Sequence, residues 1–242
     1  SPVETLTLVA GGIYADGYRR QDQSFPAVVS GRADFSTFSP KFGLLFEPVQ
    51  DIQFFANYSR SAEFPGFIEL AQIAAFVPVT AQKAWTFEAG ARGKAGIASW
   101  DFAFYRADLK DEILQFNIGP DIPASTFNAD KTVHQGLEAA LDWAITPQVR
   151  LRQTYTWSDF RFDGDLYYGD NRLPIVPEHV YRAELRYSNP AGWFVAPSVE
   201  WSASDAWVDF ANTVGSPSYA ILNLNAGWTL NPRVALFLDA RN

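Results

Sequence analysis

Residues 52–65 read IQFFANYSRSAEFP. Ile52, Phe54, Ala56 and Tyr58 are apolar or aromatic, and Gln53, Asn57, Ser59 and Ser61 alternate with them. A period of two sustained over about ten residues is the pattern of one strand with one greasy face. A Pro-bearing turn, Glu47 to Asp51, comes before it, and a long segment beginning Glu63-Phe64-Pro65-Gly66-Phe67 comes after it. Short turn, long strand and long loop make a unit. If the unit recurs with the same polarity, the chain is an up-and-down antiparallel sheet whose connections differ in length at its two ends.

Working outward, the unit does recur. Alternation predicts strands over residues 4–19, 35–46, 52–61, 84–92, 97–116, 131–145, 149–158, 179–188, 193–202, 219–230 and 233–242, about eleven in all. Between them lie short turns near residues 49, 95, 147, 191 and 232. The other five connections are expected to run to roughly ten to twenty residues each, among them 20–32, 61–82 and the acidic, aromatic 159–177. Asn189-Pro190-Ala191-Gly192 is a turn by composition. Pro40 cannot donate to a ladder, so a bulge or a strand start is expected there. Residues 67–76 suit a short helix. No repeat of sequence identity accompanies the strands, which points to a meander and not to a propeller or solenoid.

Composition narrows the function. The 242 residues are 48% hydrophobic and 16% aromatic, enough for a large β domain and against disorder. A net charge of −8 makes nucleic acid an improbable partner, because phosphate affinity needs a basic face. There is no cysteine, hence no disulfide, thiolate metal site or Cys nucleophile. No apolar run reaches the roughly 18 residues of a membrane helix, which leaves membrane-spanning strands open. The chain begins Ser-Pro and contains no Met, and is expected to be a piece of a longer protein.

Alternation alone does not separate a soluble sandwich from a lipid-facing barrel; aromatic placement does. With the short turns at one end, Trp100, Trp143, Tyr187, Trp193 and Trp228 lie near that end, and Trp85, Trp157, Tyr181 and Trp201 near the other. Two belts of amphipathic rings with aliphatic residues between them match the two interfaces of a bilayer. The opposite face carries Arg92, Glu138, Asp142, Arg150, Arg152, Arg182, Glu184, Arg186 and Glu200. So many ionised groups in a dry core would each cost several kcal/mol unless paired, and a hydrated lumen removes that penalty. The expected fold is therefore all-β, an antiparallel transmembrane β-barrel.

Sites of enzyme chemistry are not found, and no enzyme, cofactor or metal is expected. His134 and His179 are far apart, and no G-x-S-x-G, H-E-x-x-H, phosphate-loop or dinucleotide pattern occurs. Asp159, Asp163, Gly164, Asp165 and Asp170 suggest a calcium loop, but Arg161 stands where such a loop needs an oxygen ligand, and a solvated loop is preferred. Glu138 and Asp142 could be posed as acid and base, but they face one lumen roughly 13 Å apart by the rise per residue, and lumen packing is the better account.

Several segments resemble the barrel of TonB-dependent outer-membrane receptors: SPKFGLLFEP (39–48), FFANYSRSAEFPGFIEL (54–70), WTFEAGARGK (85–94), WDFAFYRADLKDEI (100–113), FNADKTVHQGLEAAL (127–141), LPIVPEH (173–179) and the terminal ALFLDARN. The resemblance covers nearly the whole chain, in the family's order. It implies that residues 1–242 are one partial barrel domain, a fragment of about 11 strands from a roughly 22-stranded barrel. It further implies residence in the outer membrane of a Gram-negative bacterium, surrounded by its lipid, and import of a scarce ligand, most often a ferric siderophore. The TonB complex would be engaged through an N-terminal plug region, which is not in this sequence. A general or substrate-specific porin and a soluble all-β binding domain are the alternatives; solubility without detergent would single out the last. On the receptor reading, ligand contact is expected from the long loops and upper lumen. The aromatic candidates are Phe64, Phe67, Phe76, Phe127, Tyr167, Tyr168, Trp207 and Phe210, with Arg60 and Arg161 as complements to an anionic chelate.

Overall fold

The computed structural model describes residues 5–25, 28–72, 75–77, 79–116 and 125–242. In chain order the elements are β1 (Leu6–Gln23), β2 (Val29–Val49), β3 (Ile52–Glu63), α1 (Phe67–Leu70), β4 (Ala71–Gln72), β5 (Ala75–Phe76), β6 (Gln82–Ala95), β7 (Ala98–Phe116) and β8 (Ser125–Trp143). They continue with β9 (Val149–Phe162), β10 (His179–Ser188), β11 (Trp193–Ser202), β12 (Ala206–Trp207), β13 (Gly215–Ser216), β14 (Tyr219–Asn231) and β15 (Val234–Arg241). Eleven of the strands form one antiparallel sheet in the order β1-β2-β3-β6-β7-β8-β9-β10-β11-β14-β15, so each strand pairs with its sequence neighbours in the sheet. The two remaining pairs, β4 with β5 and β12 with β13, are small hairpins inside long loops. The sheet is open, with β1 and β15 as its edges.

The short turns all lie at one end of the sheet. Two of them need a left-handed backbone that glycine takes without penalty: Gly96 at φ +57° between β6 and β7, and Gly192 at φ +87° between β10 and β11. β10 and β11 have the bounds expected from sequence. Elsewhere the ladder outruns the alternation. β1 and β2 pair from Leu6↔Phe46 to Gln23↔Val29, so residues 20–32, expected as a loop, are mostly strand. β8 begins at Ser125 and not at 131, and β9 runs on to Phe162, which takes Asp159 and Arg161 out of the loop. The expected helix shrinks to one turn, Phe67–Leu70, followed by the β4–β5 hairpin. Residues 117–124, in the connection expected between the strands over 97–116 and 131–145, lie outside the described residues.

Pro40 needs no bulge. It pairs with Gly12 in unbroken register. On its other side β2 meets β3 only from Lys41↔Ser59 onward, so its missing N–H faces an unpaired stretch of edge. The Phe38 carbonyl, two residues back on that edge, accepts a hydrogen bond from Arg60 Nη1 at 2.8 Å instead.

Register assigns the faces. One rung runs Arg92↔Asp101↔Ala140↔Thr154↔Arg182↔Glu200, and the next Asp142↔Arg152↔Glu184↔Ser198. Every charged residue expected to share a face does so. Asp142 accepts hydrogen bonds from Arg150 at 2.6 Å and from Arg152 at 3.1 Å, and Glu200 from Arg182 at 2.7 Å and Tyr219 at 2.9 Å. The opposite face carries Phe42, Phe54, Tyr58, Phe87, Leu185, Trp201 and Trp228, all exposed. Trp143 and Trp201 are 37% and 49% exposed, so they do not sit together in a compact interior. A polar side chain on this face, Gln153, accepts a hydrogen bond from the Tyr181 hydroxyl at 2.6 Å. In lipid, where water offers no alternative partner, that bond removes most of the penalty of the amide oxygen.

Inside the sheet, aromatic rings lie across glycines of the next strand. A Cβ on Gly90 would come within 2.4 Å of Phe55, and one on Gly136 within 2.5 Å of the Tyr105 hydroxyl. These close approaches hold inner-face rings flat against the wall.

Candidate ligand-facing rim

At the long-loop end the connections fold back over the inner face and pack there in two clusters. In the first, the loop after β3 brings Leu70 and Val79 onto Phe35, all three buried, with Phe64, Phe76 and Ile113 half-buried around them. Phe64 stacks on Phe35 with ring centroids 5.3 Å apart. Gly31 makes room for Phe76, since a Cβ there would lie 2.4 Å from its ring. Reciprocal hydrogen bonds tie this loop to β8: Thr80 N–H donates to Asn128 Oδ1 at 2.8 Å, and Asn128 Nδ2 to the Thr80 carbonyl at 3.1 Å.

The second cluster is built on Ala129, Phe162 and Leu173, all buried, with Phe127, Phe160, Tyr168 and Phe210 around them. Tyr168 stacks on Phe162 at 5.0 Å, while Phe210 meets Phe127 and Phe162 edge-on at 5.7 and 5.8 Å. Two loops distant in sequence are clasped together to achieve this. Ile175 N–H donates to the Trp207 carbonyl at 2.7 Å, and Asn171 Nδ2 to the Phe210 carbonyl at 3.0 Å. Asn212, with φ +56°, accepts from Arg172 N–H at 2.8 Å and donates to the Arg172 carbonyl at 2.9 Å. An αL backbone and a short amide side chain suit asparagine at that place.

Charge fixes the same loops. Arg172 forks onto Glu178 at 2.5 and 2.7 Å and reaches Asp159 at 3.5 Å. The Arg172 hydrogen bond holds the Glu178 carboxyl below the usual carboxylate range, with partial burial opposing it. Asp209 is likewise lowered, first by the Thr213 hydroxyl and then by the backbone N–H of Val214. Asp165 and Asp170, half of the expected acidic loop, spend their oxygens on the loop's own backbone: Asp165 on Tyr167 and Tyr168 N–H, Asp170 on Gly164 N–H. Among the described residues no group of His, Asp and Glu is placed to hold a metal.

The candidates therefore separate by position. Phe64 and Phe76 join the first cluster, and Phe127, Tyr168 and Phe210 the second. Phe67, Tyr167 and Trp207 lie exposed on the loops. Arg60 and Arg161 lie on the other side of the wall. Arg60, Trp85, Asp108, Val133 and Arg161 share one rung, in phase with the outward Tyr58, Phe87 and Trp157. The signal for Arg60 is in the sequence, two residues after Tyr58.

Inner-face residues outside the ligand candidates also gather near this rim. Asp111, at φ +56°, breaks the alternation of β7, so that both Leu109 and Glu112 are buried. Glu112 accepts a hydrogen bond from Thr132 and lies 3.2 Å from His134 Nε2, whose ring stacks on Phe160 at 4.2 Å. His134 was expected in the lumen or at its rim, but a left-handed residue inside a strand leaves no trace in hydropathy, which is why its neighbours Glu112 and Thr132 were not foreseen.

Comparison with known proteins agrees with this geometry. The siderophore receptor PiuA from Acinetobacter baumannii superposes with a TM-score of 0.79 at 20% identity, over 97% of this chain and 36% of that one. The ferric yersiniabactin uptake receptor FyuA from Yersinia pestis gives 0.79 at 16% identity, over 98% and 38%. The copper transporter OprC gives 0.81 at 15% identity, over 97% and 38%. The chain thus spans a little over a third of these proteins. The family model described as TonB dependent receptor-like, beta-barrel, matches residues 1–242. The chain belongs to that family of receptors and transporters of the Gram-negative outer membrane.

Proposed function

We propose that residues 1–242 are part of the barrel domain of a receptor that imports a small, scarce ligand, a ferric siderophore, across the outer membrane. The observation that carries this reading is the second rim cluster. Phe127, Tyr168 and Phe210 offer ring faces and edges at the mouth of a charged lumen, on loops pinned by Asn212 and Arg172. Flat, polarisable surfaces of this kind suit the planar rings of many iron chelates. The open edges β1 and β15 pair with the rest of the barrel, since unpaired edges are not tolerated in lipid. Energy reaches the receptor from the TonB complex through a plug outside this segment.

The test is equilibrium binding to the full-length protein in detergent, followed by quenching of intrinsic fluorescence. The probes are a ferric catecholate, a ferric hydroxamate and copper ion. One ferric chelate is expected to bind, and Tyr168→Ala and Phe210→Ala are each expected to weaken it on the order of tenfold. Binding of copper alone, or equal affinity in wild type and both variants, contradicts the reading.

A further inference from the structure

The outer face of the wall carries a row of charge that the lumen's chemistry does not use. Lys83 pairs with Lys110 across β6 and β7, and Lys110 with Lys131 across β7 and β8, so three lysines stand side by side on one rung. Their parity is that of Trp85 and Phe87, which face outward. Like charges directly opposite one another on a sheet repel and destabilise it. Among the described residues none of the three has an ion-pair partner. Of the nearby carboxylates, Asp108 is held by Arg106 at 2.9 Å, and the Asp163 side chain makes no bridge. Together with Arg60 and Trp85 the lysines line a cleft of about 480 Å³, into which Asp108 and Asp163 also reach, leaving four cationic side chains against two carboxylates.

Position identifies what would neutralise such a row. Trp85 stacks on Tyr58 at 4.9 Å in the belt at the long-loop end, and the lysine rung lies two residues beyond it, away from the acyl zone. A ligand there has one part in water beside cations and another part over aromatic rings, which is the shape of a lipid at its headgroup boundary.

We propose that Lys83, Lys110 and Lys131, with Arg60, form an outward-facing site for the phosphate-bearing headgroup of an anionic membrane lipid, whose chains run down over Trp85 and Phe87. Lysines suit this role better than arginines, being compact cations on flexible stems that adapt to a headgroup without one fixed geometry. The site is independent of which ligand passes through the lumen.

The test uses the full-length protein in phosphatidylcholine nanodiscs with and without phosphatidic acid, a lipid with a phosphate-monoester headgroup. Native mass spectrometry counts the lipids retained. Wild type is expected to retain phosphatidic acid over phosphatidylcholine, with retention falling as salt rises. The triple variant Lys83→Gln/Lys110→Gln/Lys131→Gln is expected to lose retention on the order of a hundredfold, since each basic group near an anionic surface contributes about fivefold. Arginine at the same three positions should restore most of it, and Lys41→Gln/Lys94→Gln, on the inner face, should leave it unchanged. No preference for phosphatidic acid in wild type overturns the proposal, and that result does not depend on any variant folding. Equal displacement by free inorganic phosphate overturns it too, because the site would then read the anion without the lipid.

Discussion

The two faces of this sheet treat charge in opposite ways. On the inner face the arginines reach carboxylates: Arg150 and Arg152 share Asp142, and Arg182 holds Glu200. On the outer face charge begins at the Trp85 belt, where Arg106 holds Asp108, and one rung beyond Trp85 three lysines line up without an ion-pair partner among the described residues. The contrast shows which medium each face meets. Water in a lumen tolerates many charges and lets them pair at small gain. Hydrocarbon excludes them, and the boundary beyond it supplies anions from outside the protein.

The sharpest way to break the comparison uses two alanines. Ala139 and Ala140 are neighbours on β8 that face opposite ways: Ala139 sits between Phe102 and Tyr155, Ala140 between Asp101 and Thr154. Ala139→Lys should destabilise the bilayer-inserted barrel by about 2–4 kcal/mol if it lies near the mid-plane. Ala140→Lys, in water beside Asp101, should change it by less than about 0.5 kcal/mol. Denaturant unfolding of the full-length protein in vesicles measures both, and equal losses would erase the distinction between the faces.

A smaller effect is expected at the rim. Asn212→Ala removes both hydrogen bonds to Arg172 and leaves alanine in a left-handed backbone, so the clasp should open at a cost of about 1–2 kcal/mol. Faster hydrogen exchange in residues 163–178 and 203–218, with strand amides unchanged, would report it. Smaller still is Asp142→Ala on the inner face, where the partners Arg150 and Arg152 are about half exposed and water replaces the lost bonds. Roughly 0.5–1 kcal/mol is expected, narrowing as salt is added.

The pH dependence of the clasp should be the mildest of these effects. Glu178 and Asp209 are both lowered in the folded loops, so their contribution is fully present above the ordinary carboxylate range. It is lost only as pH falls through their depressed folded values. Exchange of residues 163–178, corrected for its intrinsic rate, should therefore stay flat from neutral to mildly acidic pH and rise only below the ordinary carboxylate range. A rise already near neutral pH would contradict the assignment to these two carboxylates.

How far the sequence foretold this depends on height along the wall. Between the belts, alternation is enforced by lipid on one side and water on the other, and β10 and β11 were legible to the residue. Above the belt both faces are wet, so stretches such as Ser30-Gly31-Arg32 and Phe127-Asn128-Ala129 keep their ladder pairing without a hydropathy pattern. That is why β1, β2, β8 and β9 run longer than expected. The rim aromatics were nameable one by one, but their contacts depend on which loops meet. Phe127 and Phe210 are 83 positions apart and come together only through the register of five strands and the Asn212 clasp. The outward turn of Arg60 was readable from its phase with Phe54 and Tyr58; the lysine rung was not, because it exists only once β6, β7 and β8 are in register.

The central claim is that the aromatic face meets acyl chains and the charged face meets water. A nitroxide scan along residues 135–143 of β8, one label at a time in the bilayer-inserted full-length protein, tests it directly. The account predicts that oxygen accessibility peaks at Leu137, Ala139, Leu141 and Trp143. A water-soluble nickel chelate should instead peak at Gly136, Glu138, Ala140 and Asp142. Loss of the two-residue alternation, or the same alternation in the opposite phase, would contradict it.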